Sequence, residues 1–388
     1  MGNRGIFVTK NEQYRHSVLS DFIGGKLKRT EVSRLLGTTE RNVTRMASRI
    51  RKRGIEGIKH GNVGRLSTNR CDVEVKAQVM GLMKERYYDL NLTHAREKLL
   101  SEHNLTVGRE TFRKWCHGSG LVKRRHKRRS YARIYRQRMP HAGMLLQMDG
   151  SPHRWNGEDT WTLISAIDDA TSDIAWAEFY PSEDTENCMR LLWRIIERCG
   201  LPEALYVDRA GIFGGPKRNQ FSQLARACEE LGIRIIFAYS PQAKGRIERS
   251  FQTLQDRLVP ELRLRNIHRM ARANDFLHNE YLPNFWRQRY VIPAREPMSR
   301  YRSLPMTAAL KEILCWKQWR AIASDQTISL ENKRLLVDVP SRYSIRGQKV
   351  DVRDYLDGSR KAYFAGKPVE LLQLDDALAL ERLRRKAG

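Results

Sequence analysis

Three acidic residues, Asp149, Asp208 and Glu248, stand in a chain whose formal net charge is +27. Asp149 and Asp208 close the apolar runs Met144-Leu145-Leu146-Gln147-Met148-Asp149 and Ala204-Leu205-Tyr206-Val207-Asp208. Glu248 lies early in the helix-like stretch Lys244-Gly245-Arg246-Ile247-Glu248-Arg249-Ser250-Phe251. Carboxylates at strand ends beside a helix can converge on a hard cation such as Mg²⁺, which prefers oxygen ligands in octahedral geometry. Crowded carboxylates repel one another and resist full ionisation, and a divalent cation removes that penalty. Two such ions about 4 Å apart can activate the attacking oxygen and stabilise the leaving oxygen of an in-line phosphoryl displacement. In so basic a chain the expected substrate is a phosphodiester. Singly, each acid is an ordinary strand-end or helix-surface group; the joint pattern carries the reading.

The elements that must position these acids follow from composition and periodicity. A chain of 388 residues with 40% apolar content is expected to form two to four domains. No run of about 18 apolar residues occurs, which predicts no membrane span. Residues 1–7 lack the apolar stretch of a signal peptide. Six scattered cysteines without a CxxC pair point away from structural zinc and from a disulfide framework, and toward a reducing cytoplasm. Cys116-His117 reads as packing rather than ligation. Residues 1–140 carry 33 Lys+Arg against 12 Asp+Glu, whereas the remainder is nearly balanced. That asymmetry suggests a nucleic-acid grip in front and another task behind.

Residues 16–53 read as three helices, the last starting after Gly37 with Thr38 or Thr39 as N-cap. Val43, Met46 and Ile50 point inward, while Arg41, Asn42, Thr44, Arg45 and Arg49 face out. This is a helix-turn-helix pattern whose last helix can read base edges in a major groove; the alternative is a three-helix bundle with a solvated face. A second such unit is expected over 72–121, with Arg109, Thr111, Arg113 and Lys114 outward. The linker 59–71 carries Arg65, suited to a minor groove or to a plain tether. In the basic stretch 122–140, Lys123, Arg124, Arg125, Lys127, Arg128 and Arg129 are expected to track phosphates.

Residues 141–266 change character to a mixed α/β layer fold. Strand-like runs cover 144–149, 160–168, 173–180, 203–208 and 234–239, with helices over 185–199, 219–231 and from about 244. Asp168-Asp169 read as turn caps between two paired strands. His153 either touches substrate or water near the metals or is packed and hydrogen-bonded. Lys244 and Arg246, on the loop before Glu248, are expected to contact DNA, with a solvated loop as the alternative. A helical and irregular connector follows over 267–325. Strands at 335–339, 349–352 and 361–364 predict a small β-barrel over 326–376, before a charged tail at 377–388.

At this point the residues carry a family resemblance. Leu146-Gln147-Met148-Asp149-Gly150, Tyr206-Val207-Asp208 and Ser240-Pro241-Gln242-Ala243-Lys244-Gly245-Arg246-Ile247-Glu248-Arg249 resemble the catalytic core of retroviral-type integrases and DDE transposases. Asp149-Gly150-Ser151-Pro152-His153-Arg154-Trp155 and Thr253-Leu254-Gln255-Asp256-Arg257-Leu258 look especially like the ISNCY-type bacterial insertion-sequence transposases. The resemblance implies an RNase H-like core over 141–266, an SH3-like C-terminal barrel and a metal-binding catalytic triad of Asp149, Asp208 and Glu248. The chain departs from retroviral integrases in three ways. The Asp208–Glu248 interval of 39 residues is longer, helix-turn-helix units replace the zinc-binding N-terminal domain, and Gln252 and Gln255 stand where those enzymes place DNA-binding lysines.

The expected protein is a transposase that binds terminal inverted repeats, cleaves with two Mg²⁺ ions (Mn²⁺ substituting) and joins 3′-OH ends to target DNA. Its partners would be double-stranded DNA and further copies of itself, a dimer or higher, since two ends must be brought together. The alternatives are a non-catalytic DNA-binding regulator derived from such an enzyme and an RNase H-like nuclease acting on hybrids.

Overall fold

Thr9 starts the first helix with a capping box, its hydroxyl accepting from the Glu12 amide while the Glu12 carboxylate accepts from the Thr9 amide. The computed structural model describes residues 9–59, 71–122, 137–207, 223–237, 245–304, 310–339 and 344–373. The chain divides into two units, Met1–Gln78 and Val79–Gly388. In the first, α1 (Lys10–Ile23), α2 (Arg29–Leu35) and α3 (Glu40–Arg53) close over Val18, Leu19, Val32, Val43 and Ile50. Helix α1 begins at Lys10 rather than at the expected His16, because the cap lies upstream of its apolar face. Of the two threonines proposed as N-cap of α3, Thr39 takes the role and accepts from the Asn42 amide. A 3₁₀ turn, Gly54–Ile58, then folds back on α3.

Helix α4 (Val73–Glu85) spans the boundary between the units, and α5 (Leu92–His103) and α6 (Arg109–Gly118) follow in the second, the latter burying Phe112 and Cys116. Cys116 is core, its thiol pushed up to about 11 by burial, and His117 Nδ1 donates to the Val122 carbonyl at 2.9 Å. The central sheet contains β1 (Leu146–His153), β2 (Trp161–Asp168), β3 (Ile174–Tyr180), β4 (Ala204–Val207) and β5 (Arg234–Phe237), in the order β3-β2-β1-β4-β5. The first three strands are antiparallel, and β4 and β5 add parallel to β1. Helix α7 (Thr185–Cys199), capped by Asp184, and α8 (Gln223–Glu230) cover one face with Leu191, Leu192, Ile195, Leu224 and Ala227. Helix α9 (Gly245–Leu264) covers the other with Ile247, Phe251, Leu254 and Leu258. Helical front, mixed α/β core and small C-terminal β domain are thus the architecture the sequence predicts.

The connector belongs to the core. Helix α10 (Met270–Phe276), a π-helical stretch (Leu277–Trp286) and α11 (Arg287–Tyr290) run along β3. Asn274 accepts from the Phe179 amide at 2.8 Å and donates to its carbonyl at 3.2 Å, while His278 Nε2 donates to the Ala177 carbonyl at 2.7 Å. An edge strand that would otherwise present unpaired backbone groups is covered in this way.

After the short α12 (Leu310–Ile313), six strands form an antiparallel half-barrel. They are β6 (Cys315–Ala321), β7 (Thr327–Leu330), β8 (Lys333–Asp338), β9 (Lys349–Tyr355), β10 (Arg360–Phe364) and β11 (Lys367–Gln373), in the order β6-β9-β10-β11-β8-β7. The sequence predicts three of them and a start near 326 rather than at Cys315. Strand β6 lacks a clean polar–apolar alternation, and β11 opens with Lys367-Pro368, where proline weakens the local strand signal. Pairing with β9 and with β10 and β8 makes strands of them.

Candidate active site and nucleic-acid interface

Strand β1 alternates between the two helical layers. Leu146 and Met148 enter the core under α7 and α8. Gln147, Asp149 and Ser151 therefore share the opposite face, toward α9. Two of the three reach that helix: Gln147 Oε1 accepts from the Ile247 amide at 3.2 Å, and Ser151 Oγ accepts from Gln255 Nε2 at 3.0 Å. Glu248 and Gln255 are seven residues apart, almost two full turns, so they lie on one stripe of α9. Asp149 and Glu248 are thus brought onto facing stripes of β1 and α9, with Asp149 half-buried and Glu248 exposed. Glu248 stands in the first turn of α9, where unpaired amides and the helix dipole favour negative charge.

The third acid follows β4. The parallel register Leu146↔Leu205 and Gln147↔Tyr206 runs toward Asp149, and β4 ends at Val207. Asp208 itself lies outside the described residues, as do Lys244, Arg65 and Lys123, Arg124, Arg125, Lys127, Arg128 and Arg129. Among the described residues no group of three His, Cys, Asp or Glu side chains converges to hold a metal. The donor set of Asp149 and Glu248, two carboxylates, suits a hard cation such as Mg²⁺ or Mn²⁺. On β2, Ser165 pairs with Asp149 and is fully buried, with its hydroxyl lacking a hydrogen-bond partner.

His153, further along the same face, packs edge-on against Trp155 at 5.4 Å, and burial lowers its pKa. Asp168 caps the β2–β3 turn through the Ala170 and Thr171 amides at 2.9 and 3.0 Å. Asp169 does something the sequence did not suggest. It is fully buried and accepts from Gln147 Nε2 at 2.8 Å, from Arg246 Nη1 at 2.6 Å and from the Met139 amide at 2.9 Å. Gln147 was visible only as a lone polar residue in an apolar run. Arg138, the last cation of the basic stretch, clasps the same turn through the carbonyls of Asp169 and Ala170. Gln255 is a strand-to-helix tie.

The helices proposed to read DNA present most, but not all, of the side chains expected to face out. On α3, Arg41, Thr44 and Arg45 are exposed, whereas Asn42 and Arg49 are half-buried. Asn42 donates to Thr38 Oγ1 at 2.8 Å and accepts from Arg45 Nη2 at 3.0 Å. On α6, Arg109, Thr111, Arg113 and Lys114 are exposed, and Arg113 pairs with Glu110 at 2.7 Å. A cleft of about 610 Å³ between α7 and the barrel, lined by Glu186, Arg190, Asp354, Asp357 and Arg360, contains no residue of this set. No helix among the described residues is long and apolar enough to cross a membrane.

No protein-family model matches the chain. The chain is 34% identical over 362 residues to the putative transposase y4bF of Sinorhizobium fredii, covering 91% of this chain and 79% of that protein. It is 27% identical over 408 residues to the transposase for insertion sequence IS1202 of Streptococcus pneumoniae, covering 94% and 87%. Among solved structures, a chain of the simian T-cell lymphotropic virus intasome is similar over 76% of this chain and 98% of its own, at 15% identity and a TM-score of 0.34.

Proposed function

The chain belongs to the insertion-sequence transposases, and from that premise we propose that it cleaves and joins DNA at the ends of a mobile element of the ISNCY type. The observation that carries this reading is the placing of Asp149 on β1 and Glu248 on α9 on facing stripes, beside the end of β4 from which Asp208 follows.

Asp149, Asp208 and Glu248 would hold two Mg²⁺ ions, which when bound supply Lewis-acid stabilisation of the phosphate and activation of the attacking oxygen. The chain's other residues bind and orient. The exposed cations of α3 and α6, with those of the basic stretch, grip phosphates and bases of the terminal repeat; Arg65 and Lys244 serve the same end. The reaction has two displacements at phosphorus. In the first, a water oxygen attacks the phosphorus at the element's end, the P–O3′ bond breaks, and a 3′-OH and a 5′-phosphate result. In the second, that 3′ oxygen attacks a target phosphorus and displaces the target's own 3′ oxygen, so one phosphodiester replaces another. The carboxylates need form no covalent bond to DNA in either step. Both ends must be present together, and a dimer or larger assembly of the chain would supply two sites.

Strand transfer with the element's own end sequence and Mg²⁺ or Mn²⁺ tests the reading. The expected product is an end covalently joined to target DNA. Failure with both metals, on end DNA that the protein binds, would remove the catalytic reading and leave a DNA-binding protein.

A further inference from the structure

Asp169, Gln147, Arg246 and Ile247 form a closed circuit beneath the proposed metal centre. Asp169 accepts from Gln147 and from Arg246, and Gln147 accepts in turn from the Ile247 amide. Asp169 and Gln147 are both fully buried. The circuit ties three segments distant in sequence: the turn after β2, the start of β1 and the first turn of α9. A fourth, the chain entering the core, joins through the Met139 amide on the other oxygen of Asp169.

We propose that Asp169 is a positioning residue for the transposase site: through Arg246 and Gln147 it seats the first turn of α9 on β1 and so sets where Glu248 stands relative to Asp149. This deepens the reading above and rests on it for the role of the two acids.

Ile247 is the third residue of α9, so its amide has no partner within the helix. Gln147, from another element, supplies that partner. The next residue is Glu248, so the hydrogen bond to Ile247 fixes the rotation and height of the turn that carries it. The apolar side of α9, Ile247, Phe251, Leu254 and Leu258, cannot do this alone. Hydrophobic contact tolerates small slides and rotations, whereas a directional bond to a buried carboxylate does not. A buried charge is retained more readily for geometry than for stability, because its desolvation offsets much of the attraction. Asp168 already caps the β2–β3 turn, so Asp169 is not needed there. Gln147 precedes Asp149 by two residues on the same face, and Arg246 precedes Glu248 by two; the circuit thus grips both acid-bearing segments at equal remove.

The test uses the full chain as Asp169→Ala, Asp169→Asn, Gln147→Leu and Arg246→Ala, with amide hydrogen exchange over 245–251, Mn²⁺ affinity by electron paramagnetic resonance and end binding as readouts. Each variant is expected to speed exchange over 245–251 at least about tenfold and to weaken Mn²⁺ binding about tenfold, as loss of a residue behind a metal ligand does, and the Asp169 and Gln147 variants are expected to leave end binding unchanged. Exchange in β2 and β3 is expected to stay slow, which separates loss of positioning from loss of the core. The pair Asp169→Ala with Arg246→Ala is expected to act no more strongly than Asp169→Ala alone. Arg246 is reached from the surface side, its side chain 21% exposed, so that variant keeps the test open if Asp169→Ala fails to fold. Unchanged exchange over 245–251 in Arg246→Ala and Asp169→Asn overturns the proposal. Asp149→Ala separates the two readings. If it binds Mn²⁺ as the unaltered protein does, the metal site is misassigned, while exchange at Ile247 still decides the positioning role.

Discussion

His94 Nε2 donates to Glu261 Oε1 at 2.6 Å, with both side chains buried, and so fastens α5 to the helix that begins beside Glu248. Lys98 adds a second bond to the same carboxylate at 2.9 Å, and Arg265 a third. Around them Arg257 and Arg289 hold Glu97 at 2.8 and 2.6 Å, and Arg263 holds Asp89 at 2.6 Å. Helix α6, with its exposed Arg109 and Lys114, packs on α5. The proposed end-reading helix and the proposed catalytic helix are therefore joined through α5 by directional, partly buried bonds.

Acid should loosen this junction. Burial alone would raise the Glu261 pKa, but the hydrogen bonds from His94 and Lys98 hold it at about 2. A carboxylate with a folded pKa below its unfolded one adds stability that is fully present above about 4.5 and is lost as pH falls toward about 2. The difference corresponds to roughly 3 kcal/mol at neutral pH. Hydrogen exchange in α5 is expected to accelerate over that window in the unaltered protein. In Glu261→Gln it should be fast already at neutral pH, and a flat profile in both proteins would contradict the assignment.

Asp149→Ala, Asp208→Ala and Glu248→Ala are each expected to lower cleavage and joining by about a thousandfold or more while sparing end binding. Joining assays with gel-shift controls check this. Retained joining by Glu248→Ala would exclude that residue from the triad.

Gly57→Ala should damage the first unit. A Cβ at Gly57 would stand 2.5 Å from the Arg49 carbonyl oxygen, a backbone atom that cannot swing away. A cost of about 1–3 kcal/mol is expected from such overpacking. Thermal unfolding should show an earlier transition with end binding falling in parallel; a normal melting profile would show that the turn can move.

Salt dependence of end binding reports phosphate contacts. Arg109→Ala and Lys114→Ala are each expected to reduce the slope of log K against log salt by about 0.9. Arg113 already pairs with Glu110, so Arg113→Ala should change the slope less. Equal slopes in all three variants would count against α6 as a DNA-contacting helix.

Much of this protein could be read locally. Helix α7 was legible from end to end, because Asp184 caps it, Gly200 ends it and its apolar residues recur at helical spacing. The apolar run before Asp208 was legible as β4, but the run 144–149 gave only the first half of β1, which continues to His153 through pairing with β2 and so places Asp149 inside the strand rather than at its end. Where local signals were weak, reading failed: β6 and β11 became strands only through their partners, and α10 with the π-helical stretch acquired its role only by covering β3.

By itself the sequence determined the place of Glu248 at a helix start, the regions where the cations concentrate, and the order of helical front, mixed core and barrel. These are properties of neighbouring residues, and period and capping express them. Only the tertiary structure decided what Gln147, Asp169, Arg246 and Glu261 do. Their partners lie 22, 77, 100 and 167 residues away, and an isolated polar residue carries no local mark of its partner. Burial settles the matter, because a polar group removed from water must find a hydrogen bond, and the fold dictates which groups lie within reach.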